Sequence, residues 1–231
     1  MLDEILATRP PPGDVVVLGA AVLAAGVVAL PGAWPFARHV VTITHEGAHG
    51  VAALLTGRRL AGIRLHSDTS GLTVSKGRPT GPGMVLTLAA GYPGPSLAGL
   101  AAATTLASGR PLAVLWGSLA LLALLLLQIR NLFGLWSVLA SGAVLAVVTR
   151  WAPDAVQVAA AYALTWFLLL AGPRPVLELQ RERRRRRSGT SDADQLARVT
   201  GVPGLLWVGA FAVVTLGCLA AGAWLLLGGA G

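Results

Sequence analysis

Residues 36–57, FARHVVTITHEGAHGVAALLTG, place His45-Glu46-Gly47-Ala48-His49 inside a run that is otherwise apolar and long enough to cross a bilayer, which takes roughly 20 such residues. On a helix the two histidines project from one face, one turn apart, so both imidazoles can reach a single tetrahedral zinc ion. Glu46, next to the first histidine, is placed to accept a proton from a water on that metal, whose pKa the metal lowers to about 7. Ionisable side chains inside apolar spans are costly and mark functional sites. Hydrogen bonding to neighbouring helices does not account for three of them in the metallopeptidase spacing.

The chain around this run is equally apolar. Of its 231 residues 55% are hydrophobic and 12% charged, and the mean hydropathy is +0.70. An average soluble domain is about 25% charged, so water is not this protein's solvent. Apolar segments fall at 15–33, 36–57, 83–107, 111–128, 131–149, 154–172 and 203–228. They predict an all-α polytopic membrane protein of about seven transmembrane helices, a single membrane-embedded domain over residues 1–231. Asp3 and Glu4 precede the first segment, which reads as a retained helix and not a signal peptide. Only Gln128 to Asn131 separates the fourth and fifth segments, which form either a tight hairpin or one broken helix.

Seven spans put 15 of the 18 basic residues on one side and leave Arg38, Arg110 and Arg150 on the other. The positive-inside rule then places the N-terminus in the cytoplasm and the C-terminus outside. The net charge of +8 therefore reflects orientation, and no nucleic-acid partner is expected. The one cysteine, Cys218, excludes an internal disulfide or a thiolate cluster.

Two polar stretches interrupt the apolar pattern. In residues 58–80, Leu60, Ile63, Leu65, Leu72 and Val74 lie among polar residues around a Ser70-Gly71 turn, which predicts a short cytoplasmic β-hairpin after the H-E-x-x-H helix. Residues 173–201 read as a cytoplasmic loop with an exit at Pro173 and Pro175. The run Arg183 to Arg187 within it suits anionic lipid. Ser191 can cap a short helix with Asp192 and Asp194 in its first turn. Trp34, Trp151 and Trp207 fall near span ends, as interfacial anchors do. His39 reads as an interface residue, and His66 with Asp68 as a solvated loop pair.

The order of H-E-x-x-H helix, short hairpin and the Gly/Pro-rich start Ala90-Gly91-Tyr92-Pro93-Gly94-Pro95-Ser96 resembles the site-2 protease family of intramembrane zinc metallopeptidases, most closely its small B-like branch. The likeness runs from about Thr44 to Trp207, with further matches at Asn131-Leu132-Phe133-Gly134 and Ser191-Asp192-Ala193. It implies a zinc cofactor on His45 and His49, Glu46 as base, and cleavage of membrane-embedded protein substrates. It also implies a substrate cleft at Gly91, Tyr92, Pro93, Gly94, Pro95 and Asn131, whose free backbone groups suit an extended strand.

The better-known members take a third ligand from an aspartate in an N-x-x-P…L-D-G motif, and residues 131–142 hold no acid at all. Asn131, Asp192 and Asp194 are the candidates. Asp192 is favoured because Ser-Asp-Ala is the part that resembles the B-like branch. The missing motif supports a second reading, a catalytically inactive membrane scaffold or binder, against which the intact Glu46 argues, since a structural zinc site does not need it. No inverted repeat supports a transporter. High Ala, Gly, Arg and Leu usage points to a bacterial cell membrane, and nothing in the sequence sets an oligomeric state.

Overall fold

The computed structural model describes residues 5–185 and 189–228; the expectations resting on Asp3, Glu4, Arg186 and Arg187 lie outside the described residues. The elements are α1 (Asp14–Ala29), α2 (Trp34–Leu55), β1 (Arg59–Leu65), β2 (Gly71–Lys76), α3 (Pro82–Ala89), α4 (Gly94–Ala107), α5 (Pro111–Leu126), α6 (Leu132–Trp151), α7 (Asp154–Ala171), α8 (Pro173–Arg185), α9 (Asp192–Thr200) and α10 (Gly204–Gly228). Proline opens α2, α3, α4 and α5, where its missing N–H would have no intrahelical partner. Pro173 and Pro175 do not end the chain's helical course, because both stand in the first turn of α8. The expected loop 173–201 is thus largely two helices.

The molecule has two distinct ends. At one, the Arg9 backbone N–H donates to Gly109 O over 2.7 Å and the Arg9 guanidinium lies 3.0 Å from Asp154. The starts of α1 and α5 and the ends of α4 and α10 surround a cavity there. At the other end α2, the hairpin, α3 and α9 surround a second cavity. Helices α1, α4, α5, α6, α7 and α10 run between these ends. Val17, Ala24, Ala103, Leu115, Tyr162, Trp166, Leu169 and Cys218 form the apolar core between them. Gly222 lets α10 close onto α7, where a Cβ would lie 2.5 Å from a Leu169 methyl.

The seven-span count is not what this arrangement carries. α6, α7 with α8, and α10 are each long and apolar enough to cross a membrane, and α1 with α2 makes a fourth candidate if that bent pair is one span. The apolar segment 83–107 breaks at Ala90 to Pro93, and its second part, α4, has 14 residues. That is about 21 Å of helix, short of the roughly 30 Å hydrocarbon core. The H-E-x-x-H helix α2 turns 102° from α1 and lies across the bundle instead of beside it. Ion pairs also contradict the predicted alternation. Seven spans put Arg9 opposite Asp154 and Arg38 opposite Glu178, yet Arg38 Nη2 lies 3.4 Å from Glu178 and Arg9 pairs with Asp154.

The hairpin forms as predicted, antiparallel from Arg59↔Lys76 to Leu65↔Gly71, with an irregularity between Leu60 and Gly62. It lies against α2, where Thr42 Oγ1 donates to Thr69 O over 2.8 Å and Thr73 Oγ1 to Glu46 O over 3.0 Å. On the far side of β1, Ile63 N donates to Gln128 O and Arg130 N to Ile63 O, which ties the hairpin to the α5–α6 turn.

Candidate metal centre

Two turns of α2 and the first residue of α9 converge at the cleft. The Nε2 atoms of His45 and His49 lie 3.1 Å apart, and Asp192 Oδ2 lies 3.3 Å from the first and 3.2 Å from the second. Zinc bonds of about 2.0–2.1 Å in a tetrahedron require donors about 3.3–3.4 Å apart. The three donors are therefore spaced closely enough to hold one ion. His49 Nδ1 donates to Thr87 O over 2.6 Å, so its Nε2 keeps the lone pair for a metal. The His45 ring is held edge-on by Tyr92 at 4.9 Å, and Tyr92 in turn stacks on Phe211 at 5.2 Å.

Gly91 makes room for this triangle. A Cβ there would lie 2.6 Å from His45 Nε2 and 2.5 Å from His49 Cε1, pressed against both imidazoles. Its φ is not among the positive values, so open space and not backbone freedom is what the position requires.

Glu46, one residue along α2 from His45, is 4% exposed and faces β2. Thr73 Oγ1 donates to Glu46 Oε2 over 2.7 Å. Gly71 admits the carboxyl, since a Cβ there would lie 2.5 Å from Oε1. His45, Glu46, His49 and Asp192 line a cleft of about 550 Å³, with β2 and its preceding turn, Thr69 to Ser75, along one wall. β2 pairs with β1 alone among the described residues, so its other edge is free.

The remaining predicted site residues are employed elsewhere or play other parts. Asn131 Nδ2 donates to Leu65 O over 2.6 Å, and Leu65 N donates to Asn131 Oδ1 over 3.2 Å. Both its polar atoms thus extend the hairpin ladder, and Asn131 is neither a donor in the triangle nor in the cleft wall. Asp194 is likewise spent: Oδ2 accepts from Ser191 Oγ and N, and Oδ1 from Arg183. Of the Gly/Pro-rich segment, Tyr92 and Pro95 line the cleft. Gly94 meets Thr44 O, where a Cβ would lie 3.3 Å away, and serves the packing of α4 on α2; Pro93 is the residue before α4. His39 packs on Phe133 at 5.5 Å, and His66 and Asp68 both meet Ser70 in the exposed hairpin turn. Sequence reasoning missed Thr73, Gly71 and Thr87, none of which lies near the motif in the chain.

One protein-family model, described as Peptidase M50B-like, matches residues 18–222, a range that holds all four of His45, Glu46, His49 and Asp192. No curated protein and no solved structure matches the chain.

Proposed function

This chain belongs to the Peptidase M50B-like family, and from that premise we propose that it is an intramembrane zinc metalloendopeptidase that hydrolyses peptide bonds of membrane-embedded proteins. The observation that carries the reading is the donor triangle of His45, His49 and Asp192 beside the buried carboxylate of Glu46. His45 Nε2, His49 Nε2 and Asp192 Oδ2 would hold the ion. Zinc, when bound, would supply a Lewis acid and acidify a water. Thr73 occupies Glu46 Oε2, which leaves Oε1 to take a proton from water and to return it to the leaving amide nitrogen. The free edge of β2 along the cleft suits a substrate segment unwound into a strand, with main-chain hydrogen bonds holding it in line with Glu46. A scaffold has no use for a buried base so positioned, and Asp192 beside the two histidines offers the oxygen donor that the missing L-D-G aspartate would have supplied.

Orientation follows from charge and from the two ends of the fold. Among the described residues, Arg9, Arg110 and Arg150 belong to the end away from the metal donors, and the other 13 basic residues belong to the donor end. We place the donor end at the cytoplasmic face of a bacterial cell membrane and the Arg9 end outside, which reverses the N-terminal orientation expected from seven spans. Arg181, Arg184 and Arg185 of α8 would then meet anionic lipid.

The test is co-expression with a panel of tagged single-span membrane proteins, comparing wild type with Glu46→Gln. Loss of a cleavage product in the variant, with zinc content unchanged, is the expected result. Identical behaviour of the two proteins across the panel refutes the peptidase.

A further inference from the structure

We propose that Arg183 and Asp194 are positioning residues for the metal, a clamp outside the coordination sphere that orients the helix start carrying Asp192 and so sets zinc affinity. The inference rests on the reading of Asp192 as a ligand and goes beyond it, because neither clamp residue is a donor in the triangle.

α9 has nine residues, fewer than the roughly 12–15 at which an isolated helix becomes even marginal, so its placement depends on what it touches. One anchor is apolar: Ala193 and Leu196 are fully buried against Leu88, Val208 and Phe211. Apolar burial is non-directional and keeps the helix on the bundle without fixing its rotation. Metal geometry is far stricter, tolerating ligand displacements of only about 0.2 Å.

The directional anchor is the carboxylate of Asp194. Oδ2 accepts from the Ser191 hydroxyl over 2.6 Å and from the Ser191 backbone N–H over 3.2 Å, while Ser191 Oγ accepts from Asp194 N over 3.3 Å. That reciprocal cap closes around Asp192, the residue next to Ser191. Oδ1 accepts from the Arg183 guanidinium, which comes from α8. The guanidinium also lies against the start of α10, where a Cβ on Gly204 would stand 2.6 Å from Nη2. Three helices are thereby joined at one point, two residues from the third donor. Both side chains are largely shielded, 23% exposed for Arg183 and 16% for Asp194, so water competes little for the bond.

The experiment measures zinc affinity of the full-length, detergent-purified protein by competition with a chromogenic chelator, alongside thermal unfolding of the metal-free forms. Arg183→Gln and Asp194→Asn should each bind zinc about 10–100-fold more weakly, the usual effect of losing an outer-shell partner. The double variant should be no weaker than the worse single one, because both break one link. Arg183→Lys, which keeps the charge, should recover part of the loss. Affinities within about twofold of wild type in both single variants, with zinc lost from Asp192→Ala, would show that apolar packing alone sets α9 and overturn the clamp. Zinc retained by Asp192→Ala overturns the ligand assignment instead, and the clamp with it. If Arg183→Gln loses cooperative unfolding in its metal-free form, Asp194→Asn carries the test on the same criterion.

Discussion

A single methyl group at position 91 should empty the metal site while the whole H-E-x-x-H motif stays in place. In Gly91→Ala the new carbon would stand 2.6 Å from His45 Nε2 and 2.5 Å from His49 Cε1, where ordinary contact begins near 3.4 Å. Something must therefore retreat by about 0.8 Å, roughly four times the tolerance of a zinc ligand. Gly91 lies between the donors and the start of α4, whose Gly94 is itself packed against α2, so the backbone has little room to yield. A four-ligand zinc site is worth about 10–16 kcal/mol, or about 2.5–4 kcal/mol per ligand. Displacing one ligand should thus weaken zinc by about a hundredfold or more. Chelator competition on purified protein reads this directly. The control is Gly47→Ala, inside the motif, where the added carbon meets only a Leu125 methyl at 3.5 Å and zinc should be kept. Zinc bound by Gly91→Ala within tenfold of wild type, or lost equally from Gly47→Ala, would refute the donor triangle as the metal site.

Three further outcomes follow from the same geometry. Thr73→Val removes the hydrogen bond to Glu46 at nearly constant volume; kcat should fall about 10–100-fold with KM and zinc content unchanged, and Thr73→Ser should restore most of it, as steady-state cleavage assays would show. Asn131→Ala leaves the Leu65 N–H and C=O without their partners, at about 1–3 kcal/mol for each group left unsatisfied. It should lower the thermal midpoint and leave zinc affinity intact, whereas a metal ligand would show the reverse. An epitope placed before Arg9 should be reachable from outside intact cells, and protection of that epitope would restore the cytoplasmic N-terminus.

Much of the site was legible because its first part is local. His45 and His49 sit four apart on one helix, and that period alone fixes two donors on a common face. Thr73, Gly71, Thr87 and Gly91 act through space, and no spacing rule connects them to the motif. The choice between Asp192 and Asp194 had a local signal that went unused. An acid three residues after Ser191 is at the position from which a side chain turns back to cap the helix start, so Asp194 is the capping residue and Asp192 is left to face the cleft. In the same way Tyr92-Pro93-Gly94-Pro95 marks a break within the apolar segment 83–107, since a residue before proline is pushed out of the helical region, and hydropathy averaged over 25 residues conceals it.

The topology was less legible for a different reason, one that lies in the arithmetic of charge. Among the described residues, seven alternating spans and the observed two-ended bundle both divide the basic residues 13 to 3, because passing from one to the other exchanges only Arg9 and Arg38. The positive-inside rule counts charges and is blind to which arginine is counted. Contacts decide what the count does not. Arg9 is held to Asp154 and Gly109 at one end, and Arg38 to Glu178 at the other, beside Trp34, whose indole N–H donates to the same carboxylate over 3.0 Å. The 102° turn between α1 and α2 is what moves Arg38 there. It converts the second apolar run from a span returning to the first side into a helix lying across the bundle, and so brings His45 and His49 to the end where α9 can deliver Asp192.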